Sequence, residues 1–164
     1  MRTFNTLSLA LLLAAIASTA VGEEPKNETE KKAAEAALKA RMTIQGICPV
    51  SGQTLGQHGK AVRVRIGKEE VFLCCKACAK GKVDPKHWAT IHANFAKAQR
   101  ICPVMEHELP KDAKWTIVDG RIVYVCCPPC IKKIKAEPKK YIAKVHVLYQ
   151  EAIKERKKNS KKKS

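Results

Sequence analysis

Two stretches of the chain alternate apolar and polar residues with a period of two. Residues 61–66 read AVRVRI, and the apolar pattern resumes over residues 71–74, after Gly67-Lys68-Glu69. In the second stretch, residues 115–118 and 121–126 flank Asp119-Gly120, a pair suited to the positive backbone angles of a tight turn. Short alternating runs on both sides of a turn sequence predict a β-hairpin. The pattern therefore predicts two hairpins, one in each half of the chain.

Helical patterns surround these hairpins. Residues 23–43 are rich in alanine and charged side chains, which favours a helix, and Thr29 is suited to cap it. We expect this helix to be a solvated, partly frayed spacer. Short helices are expected over residues 76–82 and 131–135, and Pro85 and Pro138 suit the first position of the helices that follow.

Apolar residues recur at intervals of three and four in the last of these helices, which predicts an amphipathic helix from residue 139 to about 156. They are Tyr141, Ile142, Val145, Leu148, Tyr149, Ala152 and Ile153.

The chain contains two copies of one pattern, over residues 44–98 and 99–153. ICPVSG begins at Ile47 and ICPVME at Ile101; VFLCCKAC and VYVCCPPC follow, and each copy then reaches Pro-Lys-x-aromatic. A unit of about fifty residues rarely folds on core burial alone, so the cysteines are expected to be structural or metal-ligating.

The predicted hairpins and helices together make an α+β protein. Its two tandem, treble-clef-like, Cys-rich repeats of hairpin plus helices follow an Ala-rich helix.

The eight cysteines divide equally between the repeats. One stands at the start of each repeat, and three follow the second strand of its hairpin. Adjacent strand residues point to opposite faces, so Cys74 and Cys75 can share a metal only if the strand has already turned. A soft thiolate set selects zinc or copper(I). The candidate metal ligands are Cys48, Cys74, Cys75, Cys78, Cys102, Cys126, Cys127 and Cys130.

The fourth ligand of each site stays open at this point. It could be the second member of the paired cysteines, a water molecule, or one of the side chains His58, Met105 and His107. The other histidines, His87, His92 and His146, are interpreted as surface or packing residues.

The order of these motifs resembles the YHS and TRASH families of small metal-associated domains. The resemblance covers residues 47–92 and 101–145 and rests on Cys-Pro-Val, the hairpin, aromatic-x-Cys-Cys-x-x-Cys and Pro-x-x-aromatic. Those families are thought to bind heavy metals and accompany copper-transport ATPases and metal-responsive regulators. The TRASH pattern of a lone cysteine followed by Cys-x-x-x-Cys implies the ligand sets Cys48, Cys74, Cys78 and Cys102, Cys126, Cys130. A metal-transport or envelope protein is the implied partner.

The first 22 residues resemble a secretory signal peptide. Arg2 precedes an apolar run over residues 7–16, and small residues suit cleavage after Ala20 or Gly22. The run is shorter than the ~20 residues that span a bilayer, so we expect no transmembrane anchor. The mature chain is expected to be secreted or periplasmic, where disulfides can persist.

The chain carries 32 Lys and Arg against 15 Asp and Glu, a formal net charge of +17. Residues 154–164 are almost all basic or polar, and we expect them to be disordered after about one helical turn. This tail would attract polyanions weakly. Aromatic residues are only 5% of the chain, so no specific nucleic-acid reader is expected.

Two other functions remain open from the sequence. The cysteines could form disulfides in a structural or interaction module, with three possible pairings in each repeat. Cys127 and Cys130 could instead serve a thiol-disulfide oxidoreductase, although the element order is not that of a thioredoxin-like βαβ unit. The sequence shows no nucleophile-base-acid set and no phosphate loop, so we do not expect an enzyme.

Overall fold

The computed structural model describes residues 28–57 and 59–163 and shows an α+β fold. The signal-peptide pattern, residues 1–22, and His58 lie outside the described residues. No helix in the described ranges is long and apolar enough to cross a membrane. In chain order the elements are α1 Glu28–Gln45, β1 Val62–Ile66, β2 Glu69–Leu73, a 3-10 helix Ala77–Lys80, α2 Pro85–Gln99, β3 Lys114–Val118, β4 Arg121–Val125, α3 Pro128–Ala136 and α4 Pro138–Lys163.

Both predicted hairpins are present, each as an antiparallel two-stranded sheet. Ile66 pairs with Glu69, and Val118 pairs with Arg121, so two residues form each turn. In the second turn Asp119 has φ 49° and Gly120 has φ 72°, the left-handed pair that a type I′ hairpin requires. The second hairpin turn is therefore set by its local sequence.

The prolines start helices as the sequence predicted. Asp84 caps α2 by accepting hydrogen bonds from the Lys86 N–H at 2.7 Å and the His87 N–H at 3.4 Å, with Pro85 at the first helical position. A proline costs nothing there because the first N–H groups of a helix have no partner within it. Pro138 starts α4 in the same way.

Helix α1 is exposed over residues 28–36, but its last turns are buried, whereas the sequence predicted a solvated spacer throughout. Its last turns are buried at Ala40, Arg41, Ile44 and Gln45, and it packs against α2, α4 and β2. Thr29, expected as a cap, lies within the helix. Two buried apolar residues near the end of a mostly exposed helix give too weak a periodicity to predict this packing.

The repeating unit is one helix longer than the sequence suggested. Gln45 near Cys48 and Gln99 near Cys102 each end a helix, so α1 leads into the first repeat as α2 leads into the second. Helix α2 therefore closes one unit and opens the next. The main core lies between these helices, α4 and the second hairpin, and its fully buried members include Ile44, Ile91, Phe95, Val123, Val125 and Ile134.

Helix α4 continues to Lys163, whereas the sequence predicted disorder soon after residue 154. Its basic residues from Arg156 to Lys162 are exposed. Lysine and arginine are good helix formers, and cations are favoured at the C-terminal end of a helix. Helix α4, which packs against the core through Tyr149 and Ala152, therefore extends beyond the core as a basic helical segment.

Candidate metal centres

The first cysteine of each repeat sits at the base of a tight loop. The Cys48 N–H donates to the Gln53 carbonyl at 2.8 Å, and the Gly52 N–H donates back to the Cys48 carbonyl at 2.9 Å. The second repeat makes the same two bonds, both 2.8 Å, among Cys102, Glu106 and His107. This closure leaves the two cysteines, Cys48 and Cys102, 0% exposed.

A buried glutamine holds each loop against the second strand of its hairpin. Gln45 donates from Nε2 to the carbonyls of Ile47 at 2.9 Å and Phe72 at 2.7 Å, and its Oε1 accepts from the Phe72 N–H at 2.9 Å. Gln99 makes the equivalent bonds to Ile101 and Tyr124, at 3.0, 2.7 and 2.9 Å. Neither glutamine was among the residues predicted from the sequence. The signal was present, since a glutamine precedes each first cysteine by three positions.

The paired cysteines lie where the strand has already turned. β2 ends at Leu73 and β4 ends at Val125, so Cys74-Cys75 and Cys126-Cys127 occupy bends. The alternation of strand faces no longer applies there, and both members of each pair can approach the third cysteine of the motif. In the second repeat Cys127 caps α3 with an extended backbone, and Pro128 follows it at the start of the helix.

Three sulfur atoms in each repeat converge without a disulfide. The Sγ atoms of Cys48, Cys74 and Cys78 lie within 4.8 Å of one another, and so do those of Cys102, Cys126 and Cys130. All eight cysteines are free. Each group is close enough to hold a metal ion, and these are the six residues that the TRASH resemblance implied.

The remaining two cysteines border these groups. Cys75 Sγ lies 3.9 Å from Cys74 Sγ and 3.7 Å from Cys78 Sγ, while Cys74 and Cys78 are 3.6 Å apart. In the second repeat Cys127 Sγ lies 3.9 Å from Cys126 and 3.1 Å from Cys130, which are 4.0 Å apart. We call the first set of four, Cys48, Cys74, Cys75 and Cys78, site 1. Site 2 comprises Cys102, Cys126, Cys127 and Cys130.

Two other candidate ligands, Met105 and His107, lie within the described residues. His107 is exposed and belongs to neither sulfur group, and Met105 is 45% exposed. His92 faces the buried Glu69, with Nε2 3.0 Å from Oε2, and His146 approaches Gln150. The half-buried His87 ring lies over Gly52, where an added Cβ would come within 2.6 Å of its Nε2. Gly52 is thus required both for its left-handed backbone and for the space above it.

Hydrogen bonds to sulfur favour ionisation of the first cysteine. Burial opposes the charge on Cys48, but the Ser51 hydroxyl and the N–H groups of Ser51, Cys74 and Val50 outweigh it and lower its pKa to about 6. For Cys102, burial is again outweighed by N–H groups, and the pKa is lowered. These three donors, in Cys126, Met105 and Val104, occupy the positions equivalent to those around Cys48.

The last cysteine of each site has the opposite tendency. Burial, followed by its hydrogen bonds with Cys74 and Cys75, raises the pKa of Cys78 to about 12. Burial and the nearby sulfur of Cys127 also raise the pKa of Cys130. Four thiolates at these separations repel one another, and a bound cation would remove that repulsion. The arrangement therefore favours a metal over four free anions.

The two sites have different surroundings. Site 1 lies in a small apolar cluster of its own, in which Leu73 packs with Cys48 and Cys74. The Ser51 Oγ lies 3.3 Å from Cys74 Sγ. Site 2 merges with the main core through Cys102 and Cys130, and Met105 takes the position of Ser51.

Comparison of the chain with protein-family models, with curated proteins and with solved structures found no match. The functional assignment therefore rests on the geometry of the two cysteine groups, each of which could hold a metal ion.

Proposed function

We propose that the protein is an exported tandem metal-binding protein that holds one zinc ion in each repeat through four cysteine thiolates. It is a binding protein for sequestration or handover of the metal and not an enzyme. Export is proposed from the signal-peptide pattern of residues 1–22.

The spacing of the sulfur atoms is the observation that carries this proposal. A tetrahedral zinc site with bonds of about 2.3 Å has ligand sulfurs about 3.8 Å apart. The three distances among Cys74, Cys75 and Cys78 are 3.6 to 3.9 Å. These three sulfurs match the spacing of one face of such a tetrahedron. Cys48 lies within 4.8 Å of Cys74 and Cys78 but farther than that from Cys75, so the fourth corner requires Cys48 and Cys75 to move closer together when the metal binds.

Zinc is favoured over copper(I) because four sulfurs gather in each repeat. Zinc in closed protein sites is almost always four-coordinate and tetrahedral, and a set of four cysteines is one of its standard ligand sets. Copper(I) shares the preference for thiolates, so it is the competing metal in any test.

The disulfide alternative is less well supported by the same distances. A disulfide has sulfurs about 2.05 Å apart, and the shortest separation that we observe is 3.1 Å, between Cys127 and Cys130. This pair is the one that would oxidise first if the protein were a redox module.

The proposal is tested on the mature chain purified without chelator. Elemental mass spectrometry should find two zinc ions per chain, and mass-tagging after metal removal should find eight thiols. The matched variants Cys48→Ser and Cys102→Ser should each retain one zinc ion. Two bound copper ions would overturn the zinc assignment, and absence of metal with tag-resistant cysteines would establish the disulfide module instead. N-terminal sequencing of the exported chain tests cleavage after Ala20 or Gly22.

A further inference from the structure

The four cysteines of each site are not equivalent in position. Cys48 and Cys102 are fully buried at the base of a closed loop. Two cysteines of each site are half-exposed, Cys75 and Cys78 in site 1 and Cys126 and Cys127 in site 2. Only Cys75 and Cys127 occupy equivalent positions that are half-exposed in both repeats, and both lie outside the groups in which all sulfurs are within 4.8 Å of one another.

The buried corner is held firmly in place. The sulfur of Cys48 accepts hydrogen bonds from the N–H groups of Ser51, Val50 and Cys74, and Gln45 fixes the loop to β2. For Cys48 to leave the metal, this network would have to break inside the apolar cluster with Leu73.

The exposed corner is held differently. Cys75 lies in a bend outside β2, and the groups near its sulfur are the other cysteines together with the N–H groups of Cys78 and Ala77. The equivalent N–H group, that of Cys130, donates to the sulfur of Cys127. These donors would stabilise a thiolate that has left the metal. Departure of Cys75 or Cys127 therefore leaves the loop and the strand of its repeat intact.

We propose that Cys75 and Cys127 are the exchangeable ligands through which each site passes its metal to a thiolate-bearing acceptor. This inference rests on the proposed function. The acceptor's thiolate forms a bond to the metal as the metal–Cys75 or metal–Cys127 bond breaks, and the displaced cysteine leaves as a thiolate. A second acceptor sulfur then displaces another ligand, and no oxidation state changes in either step.

The surroundings of the exposed corner suit an anionic soft ligand. Lys80 and Lys132, each two residues beyond the last cysteine of its site, are exposed, and so is Lys76 beside Cys75. Positive charge at this face raises the local concentration of an approaching thiolate and lowers its pKa. A cysteine-containing segment of another protein fits these requirements.

Two double variants of the mature chain separate exchange from simple binding. Cys75→Ser with Cys127→Ser should still copurify with two zinc ions, held by three thiolates and water. The matched pair Cys48→Ser with Cys102→Ser should lose both. The acceptor is a synthetic peptide that carries Cys-x-x-Cys, and its control has serine at both positions.

Transfer from the wild-type protein should rise linearly with the concentration of the dithiol peptide and should be absent with the serine peptide. In the Cys75→Ser/Cys127→Ser variant it should be about tenfold faster, because an open coordination position removes the step in which the exposed cysteine leaves. Iodoacetamide should label Cys75 and Cys127 of the zinc-loaded wild type before Cys48 and Cys102.

Two results would overturn the inference while leaving the zinc sites established. One is loss of zinc from the Cys75→Ser/Cys127→Ser variant as complete as from Cys48→Ser/Cys102→Ser. The other is a transfer rate that does not depend on peptide concentration. If the wild-type chain itself bound no zinc, the proposed function would fail first and this inference with it.

Discussion

The two repeats bring four equivalent cysteines together, but the residues that support the two groups differ. Site 2 is continuous with the main core, where Cys130 and Ile134 of α3 are buried among apolar side chains. The last cysteine of site 1, Cys78, lies in a 3-10 helix, Ala77–Lys80, that has no buried residue. Under the proposed function, the repeat with less apolar support should depend more strongly on its metal.

The helices that lead into the two repeats also differ: α2 makes an apolar contact at a position where α1 makes an ion pair. Phe95 of α2 is 1% exposed and packs against Tyr149, with ring centroids 5.8 Å apart. The equivalent position in α1 is Arg41, whose Nη1 donates to Glu70 Oε1 at 2.8 Å and whose Nη2 donates to the Glu70 carbonyl at 2.6 Å. Helix α2 thus packs against α4 through aromatic rings at this position, whereas α1 is joined to the first hairpin by a largely buried ion pair.

Metal removal should expose the difference most strongly. Chelation should reduce the hydrogen-exchange protection of backbone amides in β1, β2 and the 3-10 helix by about 100-fold or more, because metal binding supplies folding free energy where apolar burial is small. Protection in β4 and α3 should fall much less. Equal loss in both repeats would show that apolar support does not distinguish the two sites.

The ion pair between α1 and the first hairpin should be the next most sensitive feature. Replacing Arg41 by alanine should lower the free energy of unfolding by about 3 kcal/mol, because it leaves the Glu70 carboxylate without its buried partner. Arg63→Ala is the matched control: this arginine is 54% exposed and 3.7 Å from Glu70, so its loss should cost less than about 1 kcal/mol. Chemical denaturation measures the free energy of unfolding of both variants. Similar losses would contradict the conclusion that Arg41 joins α1 to the first hairpin.

The two buried glutamines allow a direct comparison of matched positions. Gln45→Ala and Gln99→Ala each leave the N–H and C=O groups of a buried strand residue without partners, at a cost of about 2 kcal/mol. In the second repeat, which is continuous with the main core, this cost should appear as a lower midpoint temperature of thermal unfolding. In the first repeat it should appear mainly as weaker zinc binding at site 1, measured by chelator competition in the Cys102→Ser background. The interpretation fails if Gln99→Ala weakens metal binding as much as Gln45→Ala does.

The smallest expected effect concerns the hydroxyl beside site 1. Ser51→Ala removes a hydrogen bond to sulfur worth about 1 kcal/mol, which corresponds to a loss of about fivefold in the zinc affinity of site 1. Met105→Ala, at the equivalent position of the second repeat, should leave the affinity of site 2 unchanged. Competition titrations in the Cys102→Ser and Cys48→Ser backgrounds, respectively, resolve the two sites.

Features that depend on local sequence could be predicted without the structure. Asp119-Gly120 specifies its own turn, and Pro85 and Pro138 specify helix starts, because each restricts its own backbone. The two groups of three cysteines could also be predicted, because the pattern occurs twice and the last two cysteines of each group are four positions apart.

Features that depend on tertiary contacts could not be predicted. The approach of Cys75 to Cys74 and Cys78 depends on β2 ending at Leu73, a boundary that periodicity cannot place to one residue. The burial of Arg41 runs against the usual exposure of arginine, and only its contact with Glu70 explains it. A glutamine three positions before the first cysteine recurs in both repeats, but its strand partners, Phe72 and Tyr124, lie more than twenty positions away and could not be assigned from the sequence.

Four thiolates around one metal ion in each repeat are the basis of the proposed function and of the exchange proposed from it. X-ray absorption at the zinc edge of the fully loaded mature chain counts the atoms bound to the metal. We expect four sulfur scatterers per zinc at about 2.3 Å and no nitrogen or oxygen bound to the metal. Bound nitrogen or oxygen alongside sulfur, or fewer than four sulfurs per zinc, would show that the four cysteines do not act together as ligands.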